Sequence, residues 1–434
     1  MMMGFAFNSS ASTVNPAYTI NLPLYDYPFN QNLDLLNPSM NQSLQFSKGF
    51  YQFSHYSIQK FWDHSPTAST VSIILFDIIS TWLPLSNAWV HEEWHRAVMG
   101  QYDIESYNEV YELEFFSETI AVSDVSDAEL IDLKKHHPAD MIRLHSAGLE
   151  SQNQFNLAIE KDQFFFHSLS QDNILMLFNT VNTSSYLHVC ASNESNSLTQ
   201  EILNRENEDI KKRDFTGLDC NAWVYDLFKP NESYESRGTH PSGVGIDRYI
   251  TWSDLTANEQ DYLKKQFRLS LLNFLDPFLI NKRYFRYNYA KNKSAIYWNA
   301  NLKHYLTPFG YTINAHLFLK KDQHKMLFTL HNHFNRHHYF PGISVELFDA
   351  IYVLNDKVFY NDLSVSLWSQ PNNFNFETSK PELGSRLALK STYHWNKILG
   401  NYLEIDYKTD GWYEGNVYLT ENLSIRLGLT IAMK

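Results

Sequence analysis

The chain has 434 residues, with 35 Lys and Arg against 48 Asp and Glu, a formal charge of −13. That acidic excess argues against a nucleic-acid binder, because phosphate neutralisation needs clustered Lys and Arg. Residues that are 44% hydrophobic and 15% aromatic exclude global disorder. The two cysteines, Cys190 and Cys220, are too few for a disulfide framework and form no CxxC pair.

Residues 1–65 are rich in Asn, Ser, Tyr and Phe and read as an extended, aromatic-pinned arm. The opening MMMGFAFNSSAS has neither the basic segment nor the apolar core of a secretory signal. A location beyond an inner membrane would therefore require a leader ahead of this sequence, and a cytoplasmic location stands as the alternative. Residues 66–281 read mainly as helix. The most apolar stretch, residues 70–90, is interrupted by Asp77, Pro84 and Asn87, so a buried helix is expected rather than a membrane span. Helical spacing continues over Ala88–Met99, Asp140–Gln163, Asn173–Val189 and Leu255–Leu279, the last with a start signal at Ser253. Lys229–Arg248, dense in Gly, Pro, Ser and Asn, reads as a loop.

Residues 282–434 change period. Leu363, Val365 and Leu367 alternate with Ser364 and Ser366, and Leu423, Ile425, Leu427, Leu429 and Ile431 with Ser424, Arg426, Gly428 and Thr430. This is the period of strands with two unlike faces. Turn signals at LKKDQHK, FPG, LNDK, QPNN, KTDG and TEN divide the region into eight to ten strands. A soluble sandwich would bury the apolar face against a second sheet, whereas a transmembrane barrel would turn it to lipid. Strand length, charges on the polar face and aromatics near strand ends (Tyr297, Trp298, Tyr339, Phe340, Trp368, Trp395, Trp412, Tyr413) favour the barrel. The tail GWYEGNVYLTENLSIRLGLTI resembles the closing hairpin of Gram-negative outer-membrane barrels. The expected fold class is α+β: a helical middle region followed by an antiparallel β-sheet, folded as an outer-membrane-type barrel.

The chemistry-bearing motif is His91-Glu92-Glu93-Trp94-His95, an HExxH. On a helix, residues four apart share a face, so both imidazoles reach one ion and Glu92 reaches a water on it. Apolar flanks on both sides fit a buried helix. The motif resembles that of the zincin metallopeptidases, which implies His91 and His95 as ligands of Zn2+ and Glu92 as general base. No HxxGxxH extension follows. A catalytic zinc needs a third protein ligand. Glu150 in DMIRLHSAGLESQNQF is the first choice, because small Ala147 and Gly148 let that helix approach another and the arrangement resembles the gluzincin pattern. An ion pair of Glu150 with Arg143 is the competing reading, and Glu109 and His145 are rival ligands. In the 229–248 loop, Arg237 and His240 are candidates for binding substrate, against a structural loop pinned by arginine. HNHFNRHH (331–338) reads as strand and turn rather than a metal tract. No Walker A, GxGxxG or GxSxG is present.

Together these features predict a membrane-associated zinc metallopeptidase acting on a peptide or protein substrate, with a lipid bilayer as partner, in the outer membrane of a Gram-negative bacterium. The alternative is a non-enzymatic outer-membrane barrel carrying a helical plug.

Overall fold

The computed structural model describes residues 18–31, 37–112, 120–166, 168–205, 209–288 and 295–433. The opening dodecapeptide lies outside them. The chain begins with strand β1 (Tyr18–Tyr27) and helices α1 (Met40–Phe61), α2 (Pro66–Ile79) and α3 (Asn87–Gly100). A small ribbon of β2 (Tyr107–Asn108) and β3 (Val122–Ser123) follows. Then come α4 (Asp127–His136), α5 (Pro138–Phe165), α6 (Asp172–Cys190), α7 (Glu194–Arg205), α8 (Asp219–Phe228) and α9 (Ala257–Ser270). The remaining strands are β4 (Phe285–Tyr287), β5 (Ile296–Thr307), β6 (Gly310–Lys321), β7 (His324–Phe334), β8 (Tyr339–Leu354), β9 (Lys357–Pro371), β10 (Pro381–His394), β11 (Leu399–Lys408) and β12 (Asn422–Met433).

Ten strands form one antiparallel sheet in the order β1-β12-β11-β10-β9-β8-β7-β6-β5-β4. The protein is therefore α+β, as its sequence predicts. The ends of the order, β1 and β4, do not pair among the described residues, so the sheet by itself is open. The expected detached arm is replaced by integrated structure. β1 pairs antiparallel with β12, with Tyr18 opposite Met433. α1 starts at a capping box in which Ser39 accepts from the Gln42 N–H and the Gln42 side chain accepts from the Ser39 N–H.

The sheet turns a row of apolar side chains outward and polar side chains inward. Val365, Leu387, Tyr407 and Leu423 lie in register across four strands and point outward, 43%, 53%, 39% and 46% exposed. The inward rows are polar and buried, among them Ser366, Lys408 and Asn422, with Arg386 on the same row bonded to Asp406 at 2.8 Å. Helices fill the polar concavity. Trp223 Nε1 on α8 donates to Thr307 O at 3.0 Å, and Asn153 on α5 donates to His304 O at 3.0 Å. The β11–β12 connection also folds inward, where Gly415 N donates to Glu150 at 2.7 Å.

Several expectations are adjusted. Residues 70–90 are not one buried helix: α2 and α3 are separate, and α2 exposes Val71, Leu75, Ile78 and Ile79. The last predicted helix ends at Ser270 and continues as 3-10 turns, and its cap is Thr256 with Glu259 rather than Ser253. FPG lies within β8, with Pro341 opposite Asn332, instead of making a turn. Trp298, Tyr339 and Trp395 are exposed near strand ends, whereas Phe340, Trp368 and Trp412 are buried and cannot contribute to an outer girdle.

Candidate metal centre

Helix α3 carries the HExxH. Ser86 caps it, its Oγ accepting from the Trp89 N–H at 3.2 Å. Trp89, Val90, Trp94, Ala97, Val98 and Met99 are buried in the core with Leu144 and Ala147 of α5 and Phe215. The second glutamate of the motif is structural. Glu93 is fully buried, with Arg96 Nη1 donating to both of its carboxylate oxygens at 2.7 and 2.8 Å and Asn108 donating at 2.8 Å.

His91 and His95 lie side by side, ring centroids 5.0 Å apart. Asp219, the first residue of α8, meets both: its Oδ2 is 3.0 Å from His91 Nε2 and 3.4 Å from His95 Nε2. The Leu144 carbonyl accepts from His95 Nδ1 at 2.7 Å, which leaves the lone pair of Nε2 facing the group. That Nε2 is buried and has no hydrogen-bond partner. Gly148 makes the arrangement sterically possible, because a Cβ there would fall far inside contact distance of the Nε2 atoms of both histidines. Phe215 packs 5.1 Å from His95, and the Tyr186 hydroxyl accepts from the Asp219 N–H at 2.9 Å.

The electrostatics favour a cation. Burial pushes His91 below its ordinary pKa, so it presents a neutral ring. Burial works to raise Asp219, but the two histidines beside it, His91 through a hydrogen bond at 3.0 Å, hold it well below the carboxylate range. Two imidazole nitrogens and one carboxylate oxygen, all within 4.8 Å of one another, are a donor set that fits one metal ion. Tetrahedral zinc with ligands at ~2.0–2.1 Å places donors ~3.3 Å apart, close to the spacings of Asp219 Oδ2 from His91 and His95, 3.0 and 3.4 Å. Glu92 is 8% exposed and takes no hydrogen bond from any described residue. Burial and then the charges of Asp219, Asp214 and Glu109 push its pKa well up.

Glu150 does not join the donors. It is fully buried and clamped by Arg143, whose Nη2 lies 3.1 Å from Oε1, and by the Gly415 N–H. This is the competing ion-pair reading, and Asp219 stands in the third position that the sequence assigned to Glu150. The physical reason is helical phase: Gly148, not Glu150, faces the histidines on α5. Of the rivals, Glu109 lies near Glu92, while His145 bonds Asp226 at 3.1 Å and Thr216 at 3.0 Å. Arg237 is spent on structure, its Nη2 on Asp226 at 2.9 Å and its Nη1 on Arg248 O at 3.1 Å. His240 is turned into its own loop, where its Nδ1 lies 3.0 Å from the Ser242 hydroxyl and accepts from the Ser242 N–H. Neither is positioned as the substrate-binding group expected. His331 and His333 share the buried face of β7.

No ligand motif in the sequence includes Asp219, and the helix that it starts carries no strong start signal. Its usable signal is the turn before it: Gly217 has φ +72, and Asp214 accepts its N–H at 3.0 Å, which aims the helix start at α3. No family model, curated protein or solved structure was found to match the chain.

Proposed function

We propose that the chain is a membrane-associated zinc metallopeptidase, with His91, His95 and Asp219 holding the metal and Glu92 as general base. The observation that carries this reading is the convergence of three donors from two helices beside a buried carboxyl that takes no hydrogen bond from any described residue. Bound zinc would polarise a substrate carbonyl and acidify a water. Glu92 takes the proton of the water as its oxygen adds to the peptide carbonyl carbon. It then delivers that proton to the departing amine nitrogen as the C–N bond breaks. Leu144 O keeps His95 in the ligating tautomer, and Asp219 supplies the one negative charge of the ligand set. The outward apolar and inward polar rows of the sheet support insertion in a bilayer, and the tail motif supports the outer membrane of a Gram-negative cell.

The test is metal analysis by mass spectrometry on purified protein, together with a peptide-hydrolysis screen. One zinc per chain is expected, lost in His91→Ala/His95→Ala. Glu92→Gln should keep the metal and lose about 10²–10⁴-fold in rate. No metal in the wild-type protein after zinc addition would overturn the reading. One observation favours a second: His95 is fully buried, as suits a closed structural metal site in a helical plug. Metal retained with no hydrolysis by either form would select that non-enzymatic barrel.

A further inference from the structure

β1 and β4 end the sheet without pairing to each other among the described residues, and a chain of packed helices runs from β1 to β5, the neighbour of β4. α1 packs on β1, α2 on α1, α6 on α2, and the 3-10 turns Leu271–Leu275 and Pro277–Ile280 on α6 and β5. This wedge repeats the polarity of the sheet. In α2 the outward stripe is Val71, Leu75, Ile78 and Ile79, each about half exposed. Along 271–280, Leu271, Phe274, Leu275 and Ile280 are exposed, and Leu275 is 65% open. The only ionisable residue in each segment turns inward to a partner. Asp77 meets His55 Nε2 at 2.7 Å, and Asp276 meets Lys303 at 2.6 Å. A water-facing helix places its charges outside, whereas charge turned inward and paired is how segments in lipid manage ionisable groups. At the α1–α2 turn the exposed aromatics Phe61 and Trp62 adjoin exposed Asp63 and His64, the order expected where a wall leaves the hydrocarbon.

We propose that this helical wedge completes the lipid-facing wall, so that phospholipid acyl chains contact α2 and residues 271–280 as they contact the outer face of the sheet. The wall is then a composite of ten strands and helices, in which α1 packs on β1 at one end of the sheet and the 3-10 turns pack on β5 near the other. The inference rests on the membrane reading above, and its test separates the two. Full-length variants Leu75→Cys, Leu275→Cys, Leu387→Cys and His64→Cys are nitroxide-labelled in phosphatidylcholine vesicles. The unsubstituted protein, whose two cysteines are fully buried, serves as the labelling control. Power-saturation measurements compare oxygen with a water-soluble nickel complex. Positions 75, 275 and 387 are expected to be reached by oxygen and lose relaxation by nickel, while 64 keeps the nickel effect. Nickel access at 75 and 275 with lipid-type behaviour at 387 would overturn the composite wall and leave the membrane reading standing. Nickel access at all four would overturn both.

Discussion

Gly148 decides how near α5 comes to the two histidines, because any side chain there would occupy the space of their ring nitrogens. Gly148→Ala is therefore expected to displace the imidazoles, costing about 1–3 kcal/mol of stability through overpacking and lowering zinc content. A melting curve read beside metal analysis checks both. Glu150→Ala tests a different assignment. With Glu150 as the partner of buried Arg143, its removal should cost about 3–5 kcal/mol by stranding the guanidinium while zinc stays bound at one per chain. Zinc loss at unchanged stability would restore Glu150 as a ligand. Both residues were visible in the sequence as part of one helix, but which of them faces α3 depends on helix rotation, which no residue pattern in α5 alone sets.

Asp226 on α8 gathers Lys134 at 3.0 Å, Arg237 at 2.9 Å and His145 at 3.1 Å, and so ties α4, α5 and the 229–248 loop to the helix that carries Asp219. Burial acts to raise its pKa, but Arg237 and Lys134 outweigh it and hold the carboxyl far below the ordinary range. The folded value is depressed, so the stability it contributes is present above the unfolded carboxylate pKa of ~3.9 and is lost as pH falls from there toward the folded value. Asp226→Asn should lower stability at neutral pH by about 3–5 kcal/mol, since two buried cations lose their counter-ion. It should also flatten the loss of stability below pH ~4. Urea melts of both proteins between neutral and acid pH measure the two effects. The loop itself was legible as a loop, and its arginine as an anchor, because Gly, Pro and Ser density is a local property.

The apolar outer face of the sheet is a property of the whole molecule. A charge placed on its outer face, as in Leu387→Lys, is expected to cost about 2–4 kcal/mol if that position sits at the bilayer midplane. It should reduce insertion into vesicles, read by flotation, with little effect on the polar concavity. The same substitution would be nearly neutral on a face bathed by water, which makes the measurement decisive for the membrane reading.

Local patterns fixed a great deal before any tertiary information. Alternation of Leu423 to Ile431 with small and polar residues specifies β12 and its two faces, and four-residue spacing puts His91 and His95 on one side of α3. Tertiary structure alone decided three things. It joined β1 to β12 across the length of the chain, a pairing with no local signature. It filled the polar side of the sheet with helices, whose Asn153 and Glu160 hydrogen-bond to its inward residues, contacts between segments far apart in the chain. It brought Asp219, not Glu150, beside His91 and His95, because that convergence depends on the close approach of α3 and α5 and on the turn that starts α8, distances that sequence spacing does not encode.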